Sequence, residues 1–140
     1  MTTLRIAAMS ALAIIMSVGA ALAGEAEIRA AQTTIDRQLR AFLADDGAAA
    51  YSHAAPNIKR MFPTQEAFMG MVRKAYPMVN RPTNYAFGKS KETGTTITQQ
   101  VLILGPDGND YEAVYTLELQ EDGVFRITGV SLRAATSLST

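Results

Sequence analysis

His53 is the single histidine of the chain, and there is no cysteine. It is therefore the one side chain whose ordinary pKa lies near neutrality. A lone imidazole with no second His or Cys is a poor metal centre. Its neighbour Ser52 is adjacent in sequence, whereas a base and its nucleophile must face each other. His53 reads as a surface or capping residue. Asp45-Asp46-Gly47 lacks the alternating oxygen ligands and late bidentate Glu of a calcium loop, and reads as helix-end capping. Asp107, Asp110 and Glu112 cluster near one hairpin, where Gly105-Pro106-Asp107-Gly108 explains them as turn chemistry. These patterns assign no catalytic residue, metal ligand or cofactor.

The tyrosines are more informative. Tyr85, Tyr111 and Tyr115, with Gln99, fall at alternating positions of expected strands. They are expected to line the concave face of a curved sheet. A few hydroxyls and amides in apolar surroundings suit a small ligand of limited polarity, although tyrosine also fills cores with its hydroxyl at the edge. An enzyme would need a carboxylate or histidine in the same cavity. No inward strand position supplies one, but a helix could bring Asp36. Arg81-Pro82 precedes the first strand, and Arg126 is expected to pair with an acid on the neighbouring strand, such as Glu118.

Two patterns divide the elements that must position these groups. Residues 25–76 read as helical and residues 83–133 as strands, the order of an α+β domain with helices on one face of an antiparallel sheet. Ile28, Ala31, Ile35, Leu39, Phe42 and Leu43 form one stripe of a helix over about 26–45. Gly47 is expected to end it. A short helix over about 48–54 follows, before Pro56. Thr64 is placed to cap a third helix from Gln65 to about Tyr76, with Phe68, Met71, Val72 and Ala75 inward and Pro77 as its stop.

Four strands are expected over about 84–90, 95–104, 110–119 and 124–133, with turns at Lys91-Glu92-Thr93-Gly94, Gly105-Pro106-Asp107-Gly108 and Glu121-Asp122-Gly123. In the last strand Phe125 and Ile127 are out of phase with Val130 and Leu132. A bulge at Thr128-Gly129 would restore all four to one face and curve the sheet; a sheet buried on both faces at this end is the alternative.

The start of the chain reads as an export signal. Arg5 precedes an uncharged run, Ile6 to Val18, and then Gly19 to Ala23, whose Ala21 and Ala23 suit signal peptidase. A cleavable signal peptide over 1–23 is expected, with the cut after Ala23; an uncleaved anchor is the other reading. Removing 23 of the 140 residues leaves 117, enough for one domain without disulfides. The 13 basic and 13 acidic residues are interspersed, which argues against a nucleic-acid partner.

Three helices followed by a four-stranded meander resemble the cystatin-like and nuclear-transport-factor-two-like folds. The segment from Gly123 to Leu132 is similar to the closing strand of that superfamily, with Phe125 where Trp is usual. More narrowly, the chain resembles a family of exported proteobacterial proteins known only as a domain of unknown function. Met61-Phe62-Pro63, Phe68 with Met71, Tyr76-Pro77, Arg81-Pro82, Gln100-Val101 and the run from Asp107-Gly108 through Tyr111 and Tyr115 to Arg126-Ile127 carry this likeness, over about 30–133. The resemblance implies three N-terminal helices on a curved, cone-like meander sheet, and no agreed activity. The combined expectation is a periplasmic, non-catalytic domain binding a small apolar ligand or a protein partner, free of the membrane once cleaved. A small isomerase or dehydratase is the alternative. A homodimer through the outer sheet face, at Leu102 and Val114, is a further expectation.

Overall fold

The computed structural model describes the backbone of residues 4–135 and the side chains of residues 24–135. The expected signal segment, residues 1–23, lies outside the described side chains. The helices are α1 (Leu4–Leu43), α2 (Gly47–Ser52), α3 (Pro56–Met61), α4 (Gln65–Ala75) and α5 (Pro77–Asn80). The strands are β1 (Asn84–Thr93), β2 (Thr96–Leu104), β3 (Asp110–Leu119) and β4 (Phe125–Ala134), paired antiparallel in chain order. The α+β class and meander order agree with expectation, but the helices number five among the described residues rather than three. Among the same residues, no helix is long and apolar enough to cross a membrane.

Helix α1 buries Ala31, Ile35, Leu39 and Phe42 against the sheet, as the stripe predicts. Leu43 departs from it, being 45% exposed one residue beyond the last buried turn. The stop also differs from expectation. Asp45, not Gly47, takes the left-handed backbone (φ 55°), and Gly47 is the first residue of α2. Asp46 caps α2 through Oδ1, which accepts from Ala49 N at 3.1 Å. The end of α1 is held by Arg81, whose guanidinium donates to Phe42 O and Asp45 Oδ1. A cation on the last carbonyls of a helix satisfies both their acceptors and the helix dipole. Arg81 is therefore a capping group.

Pro56 and Pro77 each open a helix rather than only closing the one before. Proline at the first helical position loses no hydrogen bond and has the right φ already set. Tyr76 caps the end of α4 and leads directly into α5.

Strand β3 shows the expected alternation, with Ala113, Tyr115 and Leu117 buried. Its register with β4 runs Thr116↔Gly129 and then Leu117↔Ile127, so Thr128 is the extra residue of a bulge. Phe125, Ile127, Val130 and Leu132 then share the inner face with Leu119, Leu117, Tyr115 and Ala113 opposite them. A second irregularity lies between Phe87 and Ser90 of β1. Strand β1 is longer than expected because Thr93 pairs with Thr96, leaving only Gly94-Thr95 as the hairpin loop. Gly94 has φ 61°, the conformation a two-residue loop needs at its first position. The helices leave the outer sheet face uncovered. Leu102 is 46% exposed there and Val114 is half-buried.

Candidate functional site

None of the four residues expected to line a pocket borders either of the two clefts described below. Gln99 and Tyr115 are fully buried, and Tyr85 and Tyr111 are half-buried. Gln99 Oε1 accepts from Gln32 Nε2 at 3.1 Å, and its Nε2 donates to Gln100 O at 2.8 Å, Gly88 O at 3.2 Å and Lys89 O at 3.3 Å. The last two are carbonyls of the β1 irregularity. From the other face Gln100 Oε1 accepts from Lys89 N at 3.0 Å. Two consecutive glutamines thus stitch the bulge from both sides. The amide of Gln99 is a structural clamp with its hydrogen bonds filled.

Tyr111 donates to Asp107 Oδ2 at 2.5 Å within its hairpin, and this bond holds the Asp107 carboxyl below its usual range. Tyr85 donates to Asp36 Oδ1 at 2.5 Å, and Asp36 also pairs with Arg40 at 2.9 Å. Burial, then the bond to Asp36, pushes the Tyr85 hydroxyl up. Asp36 does reach the sheet from α1. It borders a shallow groove of about 270 Å³ with Arg29, Gln32, Thr33 and Phe87, where both of its oxygens are already engaged.

The Tyr115 hydroxyl is fully buried without a partner, and burial raises its pKa strongly. An orphaned buried hydroxyl costs about 1–3 kcal/mol. Tyr115→Phe is therefore expected to stabilise the fold by about 1 kcal/mol, read as a higher urea midpoint. A lower midpoint would mean that the hydroxyl has an internal partner.

The larger cavity lies elsewhere. It is a cleft of about 410 Å³ walled by α3, α4 and β4, with Phe42 of α1 and Val79 of α5 at its inner wall. Phe68, Met71, Val72 and Ala75, the expected inward face of α4, all line it. Of these Phe68 and Val72 are buried, together with Met69; Met71 is half-buried and Ala75 exposed at the rim. From α3 come Asn57, Ile58 and Met61, with Phe62 following. Met61 is 65% exposed and forms part of the mouth. Its volume falls within the range of small-molecule sites. None of its lining residues is Asp, Glu, His, Lys or Arg. A lining of that kind can hold an apolar body and offers no carboxylate, imidazole or cationic side chain.

The remaining polar candidates serve the fold. His53 ends α2, and its backbone carbonyl accepts from Ile127 N at 2.9 Å. Burial, then the charges of Arg37, Arg126 and Lys59, lower its pKa below the usual 6.5. The unfolded chain therefore binds this proton more readily. Stability is expected to be unaffected by His53 above about pH 6.5 and to fall as the pH drops below it. Urea midpoints of the wild type and His53→Gln between pH 7.5 and 5 check this; parallel curves would contradict it. Arg126 pairs with Asp122, at 2.9 and 3.1 Å, not with Glu118. Glu118 stands opposite Arg126 in register but accepts from the Thr95 and Thr96 hydroxyls. Among the described residues, no group of three or more acidic, His or Cys side chains is placed to hold a metal ion.

Helices packed on one face of a curved antiparallel meander, with an apolar cleft between helices and sheet edge, define an α+β domain. The chain belongs to the family described as "Domain of unknown function (DUF4864)", which matches residues 23–140. No curated protein matches it. Among solved structures it is similar to an "NTF-2 like protein of unknown function" from Silicibacter pomeroyi DSS-3, at 22% identity and TM-score 0.38. That alignment covers 51% of this chain and 58% of the other, so the chain spans little more than half of that protein's length. A protein from Kribbella flavida DSM 17836 aligns at 18% identity and TM-score 0.47, over 77% of this chain and 88% of that one. An "ntf2-like protein of unknown function" from Burkholderia pseudomallei K96243 aligns at 12% identity and TM-score 0.43, over 77% and 92%.

Proposed function

We propose that this domain is a non-catalytic carrier or sensor that binds a small apolar molecule in the cleft between α3, α4 and β4. The observation that carries this reading is the lining itself: a cavity of about 410 Å³ with mostly aromatic, aliphatic and methionine walls and no charged side chain. Met61 and Met71 suit a mouth that adapts to its occupant, because thioether chains are flexible and polarisable. The reading includes export, with residues 1–23 removed. The family match begins at residue 23, beside the expected cut. A second copy docking on the outer sheet face around Leu102 and Val114 would leave the cleft open.

Native mass spectrometry of the protein purified from periplasm tests the reading, with the denatured mass as reference. A native mass exceeding a whole multiple of the denatured mass by one fixed increment is the expected result. Ala75→Trp, at the exposed rim, should abolish the increment and the uptake of an apolar fluorescent dye while leaving the urea midpoint unchanged. Dye uptake that Ala75→Trp leaves intact would place the ligand elsewhere. The denatured mass independently reports cleavage after Ala23.

A further inference from the structure

We infer that the occupant of this cleft is a single-chain amphiphile, its apolar chain inside and an anionic head held at the mouth by Arg60 and Lys74; this rests on the cleft being the binding site. Of the residues lining the cleft, only Met61 and Ala75 are exposed, so they mark where it opens to solvent. Arg60 directly precedes Met61, Lys74 directly precedes Ala75, and both cations are exposed. Each also stands three residues beyond a lining residue of its own helix, Asn57 for Arg60 and Met71 for Lys74. Residues at that spacing are neighbours on a helix surface. Helices α2 to α5 carry Lys59, Arg60, Arg73 and Lys74 against a single acid, Glu66. Among the described residues none of these four cations is paired with a carboxylate. Lys59 is engaged elsewhere: its ammonium lies 5.4 Å from the centroid of the Tyr51 ring, which does not line the cleft. A cation in the last turn of a helix complements its carbonyl end. At the cleft mouth the same charges have a second use. A charged head drawn inside would lose its hydration and meet no cation among the lining residues. Left at the opening, an anionic head keeps most of its water and is attracted by two positive charges, whereas a cationic head is repelled. A neutral head gains neither.

The test is displacement of a bound neutral dye from the purified protein by three matched probes, decanoate, 1-decanol and decyltrimethylammonium, at pH 7.5 and low salt. Decanol leaves water most readily, so a cleft that selects for apolarity alone ranks it first. The inference predicts decanoate first, about five-fold more potent than decanol, the scale of one or two exposed ion pairs, and decyltrimethylammonium last. Raising the salt to about 0.5 M should bring decanoate down to decanol or below it. Arg60→Glu combined with Lys74→Glu should do the same at low salt. Lys91→Glu, on the strand at the far edge of the sheet from β4, should leave the ranking as it is. If the double variant does not fold, the wild-type ranking and its salt dependence still decide. Decanol equal to or above decanoate in the wild type would overturn the anionic head while leaving the cleft as the site. A double variant that keeps the wild-type ranking would also overturn it, because the cations would then serve only the helix ends. If no dye enters and no probe binds, the cleft reading falls, and this inference falls with it.

Discussion

Phe42→Ala is expected to lower the unfolding free energy by about 3–5 kcal/mol, the range for deleting a buried phenylalanine side chain. Phe42 is 1% exposed and stacks on Phe68 with ring centroids 6.2 Å apart. It joins the last turn of α1 to α4, and its carbonyl receives the Arg81 guanidinium. The truncation removes the side chain through which α1 meets α4, while the carbonyl that receives Arg81 is kept. Phe42 borders the cleft, so the lower part of the range is expected. The neighbouring Leu43→Ala should change stability by no more than about 0.5 kcal/mol, because that side chain is largely in solvent. Urea denaturation of the pair measures the contrast. Similar losses for both would mean that α1 does not seat as described.

Gln99→Leu is the second large effect. Leucine fills the same volume but leaves Gln32 Nε2 and the carbonyls of Gly88 and Lys89 without the bonds they now make. Unsatisfied groups of this kind cost about 1–3 kcal/mol each when fully buried. These are partly buried, so a net loss of about 2–3 kcal/mol is expected. The damage should centre on β1: amide exchange of residues 87–90 should quicken more than that of β3. Gln100→Leu removes only the outer stitch to Lys89 N, which is exposed, and should cost much less. A neutral Gln99→Leu variant would show that water can replace the clamp.

Much of the fold was legible because its signals are local. The stripe on α1, the alternation of β3 and the phase change around Thr128-Gly129 each follow from spacing alone, and each has its counterpart in the structure. The cleft was not legible for one identifiable reason. Pro56 and Pro77 read as stops, although proline also suits the first position of a helix. Without α3, the spacing of Ile58, Met61 and Phe62 carried no meaning, yet it is the spacing of one helical face. The inner face of α4 was foreseen, but not that part of it faces a void. For the tyrosines, alternation gives the direction of a side chain and not what fills the space before it. At Tyr85 that space holds Asp36, and around Gln99 it holds Gln32 and the bulged strand. Spacing sets Arg126 against a neighbour on the sheet, while its partner lies in the β3–β4 turn, and it names no partner for Arg81, whose partner lies at the end of α1.

The two outer strands meet solvent differently. Along β4, Ile127 N bonds His53 O, Ala55 N bonds Ile127 O, and Asn57 and Tyr76 take the carbonyls of Thr128 and Val130. Ala54 lies against Ile127 as a parallel bridge. A further strand arriving at this stretch finds the backbone already occupied. At the opposite side, β1 carries the Gly88-Lys89 irregularity and the charges of Lys89 and Lys91, both of which oppose strand addition. A sheet covered along one edge at residues 127–130, and irregular and charged along the other, is a poor template for its own growth. Fibrillar assembly of this protein would first require the segment around Ala54 and Asn57 to peel away, so its propensity to polymerise should track local opening there rather than global unfolding.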